Sequence, residues 1–181
     1  MYRSLNKGYR GYDLSNLRVL LVEDNEFLRK LVSSVLASLG IRRVQKAREG
    51  GEGWSLFQAS SPDLIIVDWV MTPIDGPAFV QRVRQDDKSR NIYIPIIMLS
   101  AYGDMSRVIA ARDMGVNEFL AKPVSAAQLY DRIERVLEVE RPFVRAQDYF
   151  GPCRRRRDDP KYSGPERRKD AKDSKDTEDE Q

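Results

Sequence analysis

The stretch PDLIIVDWV, residues 62–70, places four apolar residues directly before a carboxylate, that of Asp68. An apolar run without polar residues at alternate positions predicts a strand that is buried on both faces. Aspartate is also common in the turn that ends a strand. Asp68 is therefore either an ordinary turn residue or a reactive group, and the choice depends on which residues end the neighbouring strands.

Four more segments have the composition of strands, and they are residues 18–23, 41–47, 93–100 and 116–122. Apolar residues at helical spacing lie between them, and we expect helices over residues 27–39, 50–60, 77–86, 104–114 and from Ser125 onward. Five strands alternate with five helices, and the central strands are apolar runs. This pattern predicts an α/β fold, in which a doubly wound, five-stranded parallel sheet is covered by helices on both faces.

Composition excludes several classes of protein. No apolar run approaches the ~20 residues of a membrane span, and the polar start of the chain does not have the pattern of a signal peptide. The single cysteine, Cys153, favours a reducing, cytoplasmic location. The absence of histidine excludes Ser–His and Cys–His catalytic pairs, a phosphohistidine on this chain, and most histidine-based metal sites.

The charges divide the chain into three parts. Residues 14–142 hold 17 basic and 17 acidic residues and are neutral, so the basic balance comes from the ends. After residue 142 the apolar pattern stops, and the charges occur in blocks. We expect a flexible basic arm over residues 1–14, one folded domain over 15–141, and a mostly disordered charged tail over 142–181.

The ends of the predicted strands carry polar residues of a particular kind. Strand 1 ends in Glu23 and Asp24, strand 3 in Asp68, strand 4 in Ser100 and strand 5 in Lys122. Functional groups gather at the carboxyl ends of strands in such sheets, and in the order 2-1-3-4-5 strands 1 and 3 are neighbours. Three carboxylates then converge around one lysine, which suits a hard divalent ion such as Mg2+.

A carboxylate beside Mg2+ and a lysine can act as a nucleophile toward phosphorus. Each residue alone has an ordinary explanation, since Asp24 or Asn25 could cap a helix and Ser100 could bond within a turn. Four strand ends that each carry the residue type this chemistry needs are better explained by a phosphoacceptor site. Asp68, which follows the most buried strand, is the candidate nucleophile.

The same residues resemble the receiver domain of bacterial two-component response regulators, the CheY-like, flavodoxin-like fold. The resemblance covers about residues 15–140, and it rests on the acidic pair at 23–24, DWVMTPIDG at 68–76, LSA at 99–101 and KP at 122–123. It implies the sheet order 2-1-3-4-5 with five flanking helices. It also implies a phosphorylation-activated switch rather than an enzyme, with at most self-phosphorylation from acyl phosphates and slow self-dephosphorylation.

The resemblance also assigns roles to individual residues. Asp68 would accept the phosphoryl group, and Ser100 and Lys122 would contact it. Phe119 would be the aromatic residue that turns inward on activation. The ligands of Mg2+ would be Glu23, Asp24, Asp68 and the backbone carbonyl of Val70. The Lys122–Pro123 peptide bond would be cis.

The sequence departs from the family pattern in the loop after Asp68. Thr72 stands where a proline is usual, with Pro73 after it, and Pro77 follows Gly76. These changes alter the shape of the loop and leave the arrangement of charges unchanged. Val70 is apolar where some relatives carry polar groups that help water attack, so we expect slow loss of the phosphoryl group.

Other proteins with similar element patterns fit less well. A flavodoxin-like FMN protein needs a phosphate loop rich in small residues after strand 1, whereas this chain has VEDNEF there. A haloacid-dehalogenase-type phosphatase needs a second aspartate at position 70, which is valine. The GGEG at 50–53 fits neither a Walker loop nor a dinucleotide fingerprint.

The tail contains a near-repeat of the form Y-x-G-P-x-R-R, which begins at Tyr149 and again at Tyr162. Three functions remain open for it: docking to an acidic protein partner, nonspecific nucleic-acid contact, or folding back on the acidic edge of the domain.

The expected partners are a histidine kinase or histidine phosphotransfer protein and a downstream protein target, since no second domain pattern follows. The alternative is a phosphorylation-independent adaptor or nucleic-acid-binding protein that acts through the arginine-rich tail.

Overall fold

The computed structural model describes residues 12–101, 105–138, 142–146 and 149–153. Within these residues one parallel sheet is formed by five strands, Arg18–Val22 (β1), Arg43–Ala47 (β2), Leu64–Asp68 (β3), Ile96–Ser100 (β4) and Glu118–Ala121 (β5). The flanking helices are Glu26–Ser38 (α1), Gly50–Ser60 (α2), Gly76–Gln85 (α3), Met105–Asp113 (α4) and Ala126–Glu138 (α5). The sheet order β2-β1-β3-β4-β5 confirms the predicted doubly wound fold. In the described ranges no helix has the length and apolar character needed to cross a bilayer.

Each strand sends alternate side chains to two separate apolar cores, because successive residues of a strand point to opposite faces. Leu20 and Val22 of β1 pack with α2, α3 and α4 through residues such as Phe57 and Phe79. Val19 and Leu21 pack on the other face, with residues of α1 and α5. All five β3 residues are buried, which explains the unbroken apolar run in the sequence.

The helix ends follow the chemistry of the sequence. Asn25 caps α1 by accepting a hydrogen bond from the backbone N–H of Leu28 at 3.0 Å. Asp75 caps α3, and the Ser125 hydroxyl caps α5 by accepting from the N–H of Gln128 at 3.2 Å, as predicted. Gly40 follows α1 with φ +86°, in the left-handed region that favours glycine.

Strand β4 is shorter than the predicted 93–100, since it begins at Ile96. Pro95 has no N–H to donate, although its carbonyl accepts from the N–H of Ile65 at 3.0 Å. Tyr93 and Ile94 therefore belong to the preceding loop. β2 and β5 are also shorter than predicted, since β2 begins at Arg43 and β5 covers Glu118–Ala121.

The last residues of the predicted basic arm pack against the domain. Leu14, the last residue of the predicted arm, is buried in the core on the α1 and α5 face together with Leu17 of the predicted domain. The hydroxyl of Tyr12 donates to a carboxylate oxygen of Glu138 at the end of α5. Residues 1–11 of the arm lie outside the described residues.

A β-hairpin follows α5, where the sequence predicted the start of the charged tail. Phe143–Ala146 (β6) pairs antiparallel with Tyr149–Pro152 (β7), and the N–H of Cys153 donates to the carbonyl of Pro142 at 2.8 Å. Phe143 and Phe150 anchor the hairpin against Tyr93, with ring centroids 5.0 and 5.7 Å away. Two four-residue strands are too short to give a clear sequence pattern. Residues 154–181, with the second copy of the near-repeat, lie outside the described residues.

Candidate functional site

Three carboxylates converge at the carboxyl ends of β1 and β3. Oxygen atoms of Glu23, Asp24 and Asp68 all lie within 4.8 Å of one another, and we call this group the acidic pocket. Glu23 is fully buried and Asp68 is only 6% exposed, whereas Asp24 faces solvent. The pairing of β1 with β3 brings these residues together, as the strand order predicts.

Lys122 supplies the positive charge of the pocket. Its Nζ lies 2.7 Å from Glu23 Oε2 and 2.9 Å from Asp68 Oδ1, so one ammonium bridges two buried carboxylates. The backbone N–H of Lys122 donates to the carbonyl of Ser100 at 2.7 Å, which fixes the end of β5 against β4. The Lys122–Pro123 bond is cis, as expected, and Thr72–Pro73 is cis as well.

Burial controls the protonation of the pocket. Desolvation raises the pKa of Asp68 and of Glu23, although their hydrogen bonds to Lys122 act in the opposite direction. Burial acts to lower the pKa of Lys122, but its hydrogen bonds to Glu23 and Asp68 outweigh this effect, so its pKa is raised. Lys122 therefore does not fully stabilise the charged forms of the two carboxylates, while the lysine itself stays protonated.

An arginine that the sequence analysis did not identify holds the acidic pair in place. Nη1 of Arg29 donates to the carbonyl of Glu23 at 2.6 Å and to that of Asp24 at 3.1 Å. The N–H of Asn25 donates to Glu23 Oε1 at 3.3 Å. Because Asn25 caps α1, Asp24 is not needed as a cap and remains in the pocket. Bonds to backbone carbonyls follow no sequence motif, so only its position in the first turn of α1 could have pointed to Arg29.

Gly76 shapes the loop that follows Asp68. A Cβ at this position would lie 2.1 Å from the carbonyl oxygen of Asp68, a distance that no side chain tolerates. The N–H of Gly76 donates to the carbonyl of Trp69 at 3.1 Å. The glycine therefore lets the loop close directly against the strand end that carries Asp68.

Ser100 and Phe119 lie on neighbouring strands beside the pocket. Ser100 is fully buried at the end of β4, one residue beyond Leu99, which pairs with Asp68. Phe119 is partly buried on β5 and lines an open cavity of about 350 Å3 between α4 and α5. Its carbonyl accepts a hydrogen bond from Nε of Arg132 at 3.2 Å.

The two residues after Asp68 differ in their surroundings. Trp69 is partly buried, and the guanidinium carbon of Arg107 on α4 lies 5.4 Å from its ring centroid. Val70 is 57% exposed, so its apolar side chain meets solvent beside the pocket and offers no polar group to a water molecule. Slow loss of a phosphoryl group stays a prediction.

The donor atoms of the acidic pocket fit a hard divalent cation. All three side chains offer carboxylate oxygens, which are the ligands that Mg2+ prefers. Lys122 balances only one of the three negative charges. A divalent ion held by Glu23, Asp24 and Asp68 would supply the missing positive charge, and this acidic triad is typical of the Mg2+ sites of receiver domains.

The sequence was also compared with known proteins. The sequence model of the family described as "Response regulator receiver domain" matches residues 19–134. The chemotaxis protein CheY1 of Helicobacter pylori (strain ATCC 700392 / 26695) is 33% identical over 122 residues, which are 67% of this chain and 97% of that protein. The chemotaxis protein CheY-3 of Vibrio cholerae is 27% identical over 123 residues, 68% of this chain and 93% of the relative.

Solved structures agree with these matches. A putative response regulator from Chloroflexus aurantiacus J-10-fl superposes with a TM-score of 0.62 at 32% identity, over 68% of this chain and 100% of that chain. The chemotaxis protein CheY4 of Vibrio cholerae gives a TM-score of 0.60 at 29% identity, over 66% and 98%. The family match over residues 19–134 includes most of the sheet and its helices, together with Glu23, Asp24 and Asp68 of the acidic pocket.

Proposed function

Since this chain belongs to the family of response regulator receiver domains, we propose that it is switched by transfer of a phosphoryl group to Asp68. The donor would be a phosphohistidine on a partner histidine kinase or histidine phosphotransfer protein. A receiver domain is a phosphoacceptor switch rather than a catalytic enzyme, so the product of the reaction is an altered state of the protein itself.

In this transfer a carboxylate oxygen of Asp68 forms a bond to phosphorus while the phosphorus–nitrogen bond of the donor breaks. The electron pair of that bond stays on the imidazole nitrogen, which then takes up a proton. The Lys122 ammonium already contacts Asp68 Oδ1 at 2.9 Å and would shift onto the incoming phosphoryl oxygens. Catalysis then consists mainly of positioning and of neutralising charge.

The proposed metal ligands are the acidic pocket and the backbone carbonyl of Val70. Mg2+ bound there would supply positive charge to the phosphoryl oxygens. Arg29 keeps the acidic pair in position through its bonds to two carbonyls. Burial of Glu23 and Asp68 keeps bulk water from competing for the same oxygens.

One observation carries this proposal. Three carboxylates from two strand ends share one lysine, Lys122, at 2.7 and 2.9 Å from two of them. Burial raises the pKa values of Glu23 and Asp68, so keeping both carboxylates ionised lowers the stability of the fold. Reactive sites are where such unfavourable arrangements are retained.

We propose that the signal leaves through protein–protein contact. Ser100 would donate its hydroxyl to the phosphoryl group, and Phe119, on the adjacent strand, would move inward. The cavity beside Phe119 lies between α4 and α5, so such a movement would change the surface formed by α4, β5 and α5. A downstream protein that reads this surface would be the output partner, in the cytoplasm where the partner kinase presents its phosphohistidine.

The test is phosphorylation by a small acyl phosphate in the presence of Mg2+, read by intact mass. We expect the wild type to gain one phosphoryl group and Asp68→Asn to gain none. Asp87→Asn, which changes an exposed aspartate outside the pocket, should gain it as the wild type does.

The proposal fails if neither the acyl phosphate nor a metal-fluoride mimic of the phosphoryl group acts on the wild type. It also fails if Asp68→Asn gains the same mass as the wild type. In the first case the acidic pocket would be only a structural feature of the fold.

A further inference from the structure

The hairpin creates a cleft at the end of the sheet opposite Asp68. The cleft has a volume of about 810 Å3 and lies between the α3–β4 loop and the hairpin. Because this loop precedes β4, the cleft is at the amino ends of the strands. Its main walls are Arg90, Tyr93, Arg145, Tyr149 and Phe150. None of these residues belongs to the acidic pocket, so the cleft is a separate feature.

Two guanidinium groups face the cleft without a carboxylate partner among the described residues. Arg90 and Arg145 are both exposed, and neither forms an ion pair within the described part of the chain. The guanidinium of Arg145 lies 5.0 Å from the ring centroid of Phe150. Arg84, which also lines the cleft, is buried, and it donates to Gly115, Ile92 and Ile94 carbonyls instead. Arg90 and Arg145 are therefore available to a ligand.

Aromatic rings line the same cleft as these arginines. Tyr93 is 56% exposed although its ring contacts Phe143 and Phe150 at 5.0 and 5.7 Å. The two phenylalanines contact each other at 5.5 Å, so the three rings form one cluster with Tyr93 at its surface. Such contacts hold the exposed ring in place before any ligand arrives, which lowers the entropic cost of stacking on it.

The charge around the cleft is on balance positive. The negative charge of Asp86 is paired with Arg82, since its carboxylate accepts a hydrogen bond from Arg82 Nε at 3.4 Å. It also accepts one from the N–H of Lys88 at 2.8 Å. Asp87 is exposed and is the acidic residue that opposes an anion. The arginines at 154–157 lie outside the described residues, and the positive balance does not depend on them.

We propose that this cleft binds single-stranded nucleic acid. Proteins that bind single strands combine cationic groups for the phosphates with aromatic rings on which bases stack. Arg90 and Arg145 supply the first element, and Tyr93 supplies the second. A base-paired duplex keeps its bases stacked on each other, so the exposed ring favours a single strand. This activity is independent of phosphorylation at Asp68.

The experiment is fluorescence anisotropy of a labelled, mixed-sequence RNA or DNA oligonucleotide titrated with the full-length chain. We expect saturable binding with a Kd on the order of 1–100 µM at physiological salt. The double variant Arg90→Ala/Arg145→Ala should weaken binding about tenfold and reduce the salt slope by about 1 to 2. Tyr93→Leu, which keeps an apolar side chain, should weaken binding at least about fivefold because it removes the stacking ring.

The matched control is Arg42→Ala/Arg43→Ala, which removes two exposed arginines at the start of the edge strand β2, outside the lining of the cleft. It loses the same charge and should bind as the wild type does. Asp87→Asn should bind more tightly than the wild type. Circular dichroism of each variant shows whether the fold is retained. We expect it to be retained, because the substituted residues Arg42, Arg43, Arg90 and Arg145 are all exposed.

Four results would overturn the proposal. The first is that the oligonucleotide does not bind. The second is that Arg42→Ala/Arg43→Ala weakens binding as much as Arg90→Ala/Arg145→Ala does. The third is that Arg90→Ala/Arg145→Ala has no effect, so that residues 154–157 carry all the binding. The fourth is that poly-glutamate displaces the oligonucleotide and binds more tightly, in which case the cleft serves an acidic protein instead. Asp68→Asn should bind the oligonucleotide unchanged, so a failure here leaves the phosphorylation test unaffected.

Discussion

Single residues set the charge balance of the acidic pocket, and Lys122 contributes the most. Its Nζ bridges Glu23 and Asp68, so Lys122→Gln removes the cation nearest to both carboxylates. We expect the variant to bind Mg2+ about tenfold more tightly, because the Lys122 ammonium repels a cation bound beside it. A repulsion of about 1.4 kcal/mol corresponds to a tenfold change in Kd. Phosphorylation from an acyl phosphate should be at least about tenfold slower, because the phosphoryl oxygens lose a charged donor.

Calorimetric titration with Mg2+ and the mass assay measure the two effects separately. Lys30→Gln is the matched control, because Lys30 pairs with Glu26 on the exposed face of α1. It should leave both quantities unchanged. Weaker Mg2+ binding in Lys122→Gln would contradict the assignment of Lys122 as the competing cation.

The raised pKa of Asp68 makes stability depend on pH. The folded state binds a proton on Asp68 more readily than the unfolded state, whose carboxyl has a pKa of about 3.9. Above the raised pKa, the buried charge lowers the free energy of unfolding. This destabilisation is lost as the pH falls from the raised pKa toward about 4.

Asp68→Asn should therefore be more stable than the wild type at pH 7, by about 1 kcal/mol, a common size for a single substitution. The difference should shrink as the pH falls toward 4. Urea unfolding in EDTA between pH 4 and pH 7 measures it, and Asp87→Asn controls for the loss of one negative charge. A difference that grows as the pH falls would show that the pKa of Asp68 is lowered instead.

Residues of the site differ in how far the sequence reveals them. Asp68, Glu23 and Lys122 each end a predicted strand, so the topology alone brings them together. Arg29 and Arg84 are different, since both donate mainly to backbone carbonyls. Any segment of chain offers carbonyls, so no partner residue marks such an arginine in the sequence.

At the level of elements, two glycines let the hairpin pack closely on the α4–β5 turn. A Cβ on Gly115 would lie 2.7 Å from the carbonyl oxygen of Phe150, and a Cβ on Gly151 would lie 2.5 Å from Cα of Gly115. Gly115 also has φ +87°, and Gly40 has almost the same angle with nothing near its Cβ position. The two residues therefore share a positive φ. They differ in the hairpin contact and in Arg84 Nε, which would lie 3.3 Å from a Cβ on Gly115.

Gly40→Ala should cost about 1 kcal/mol of stability, through backbone strain alone. Gly115→Ala should cost about 1–3 kcal/mol more, because the added methyl group also meets the hairpin. Chemical denaturation of the two variants measures the difference.

The same pair of substitutions in a chain that lacks residues 142–181 provides the control. Without the hairpin, the two alanine substitutions should cost nearly the same. Equal costs in the full-length chain would mean that the hairpin does not rest on Gly115.

The hairpin also shows where prediction of elements fails. The sheet and its helices follow from long apolar patterns, and the errors in their predicted bounds are small. For example, β4 begins at Ile96, three residues later than predicted. The hairpin depends on contacts between Phe143, Phe150 and Tyr93, which lies about 50 residues earlier. The local sequence around Phe143 is charged and short of apolar residues, so only the tertiary contact shows the fold.

For the molecule as a whole, the proposed binding of Mg2+ would be linked to folding. A ligand that binds only the folded state raises the free energy of unfolding, by about 2.7 kcal/mol at 100 times its Kd. For a chain of this size, that corresponds to a rise in Tm of roughly 5–10 °C. Thermal unfolding with and without Mg2+ measures it.

Asp24→Asn should lose most of this rise, because it removes one of three carboxylates without disturbing the buried pair. Asp113→Asn, on α4, should keep it. If Mg2+ stabilises Asp24→Asn as much as the wild type, the ion binds elsewhere.

The fold class and the location of the acidic pocket could both be predicted for the whole molecule, because strands alternate with helices and the strands end in polar residues. The strand order came partly from the resemblance to a known family. The cleft at the amino ends of the strands could not be predicted, since it exists only where the hairpin meets the α3–β4 loop. Arg90 and Arg145 are 55 residues apart in the sequence and come together only in the folded chain.

The contact between Trp69 and Arg107 has a practical consequence. The chain has two tryptophans, and the other one, Trp54, is largely buried beneath the guanidinium of Arg82 at 4.3 Å. Trp69 follows Asp68 directly, and a cation from α4 lies 5.4 Å from its ring. A new negative charge on Asp68 would alter the electric field at this indole, and any displacement of α4 would alter its quenching. We therefore expect the emission of Trp69 to change when Asp68 is phosphorylated, which would report the state of the protein without an added dye.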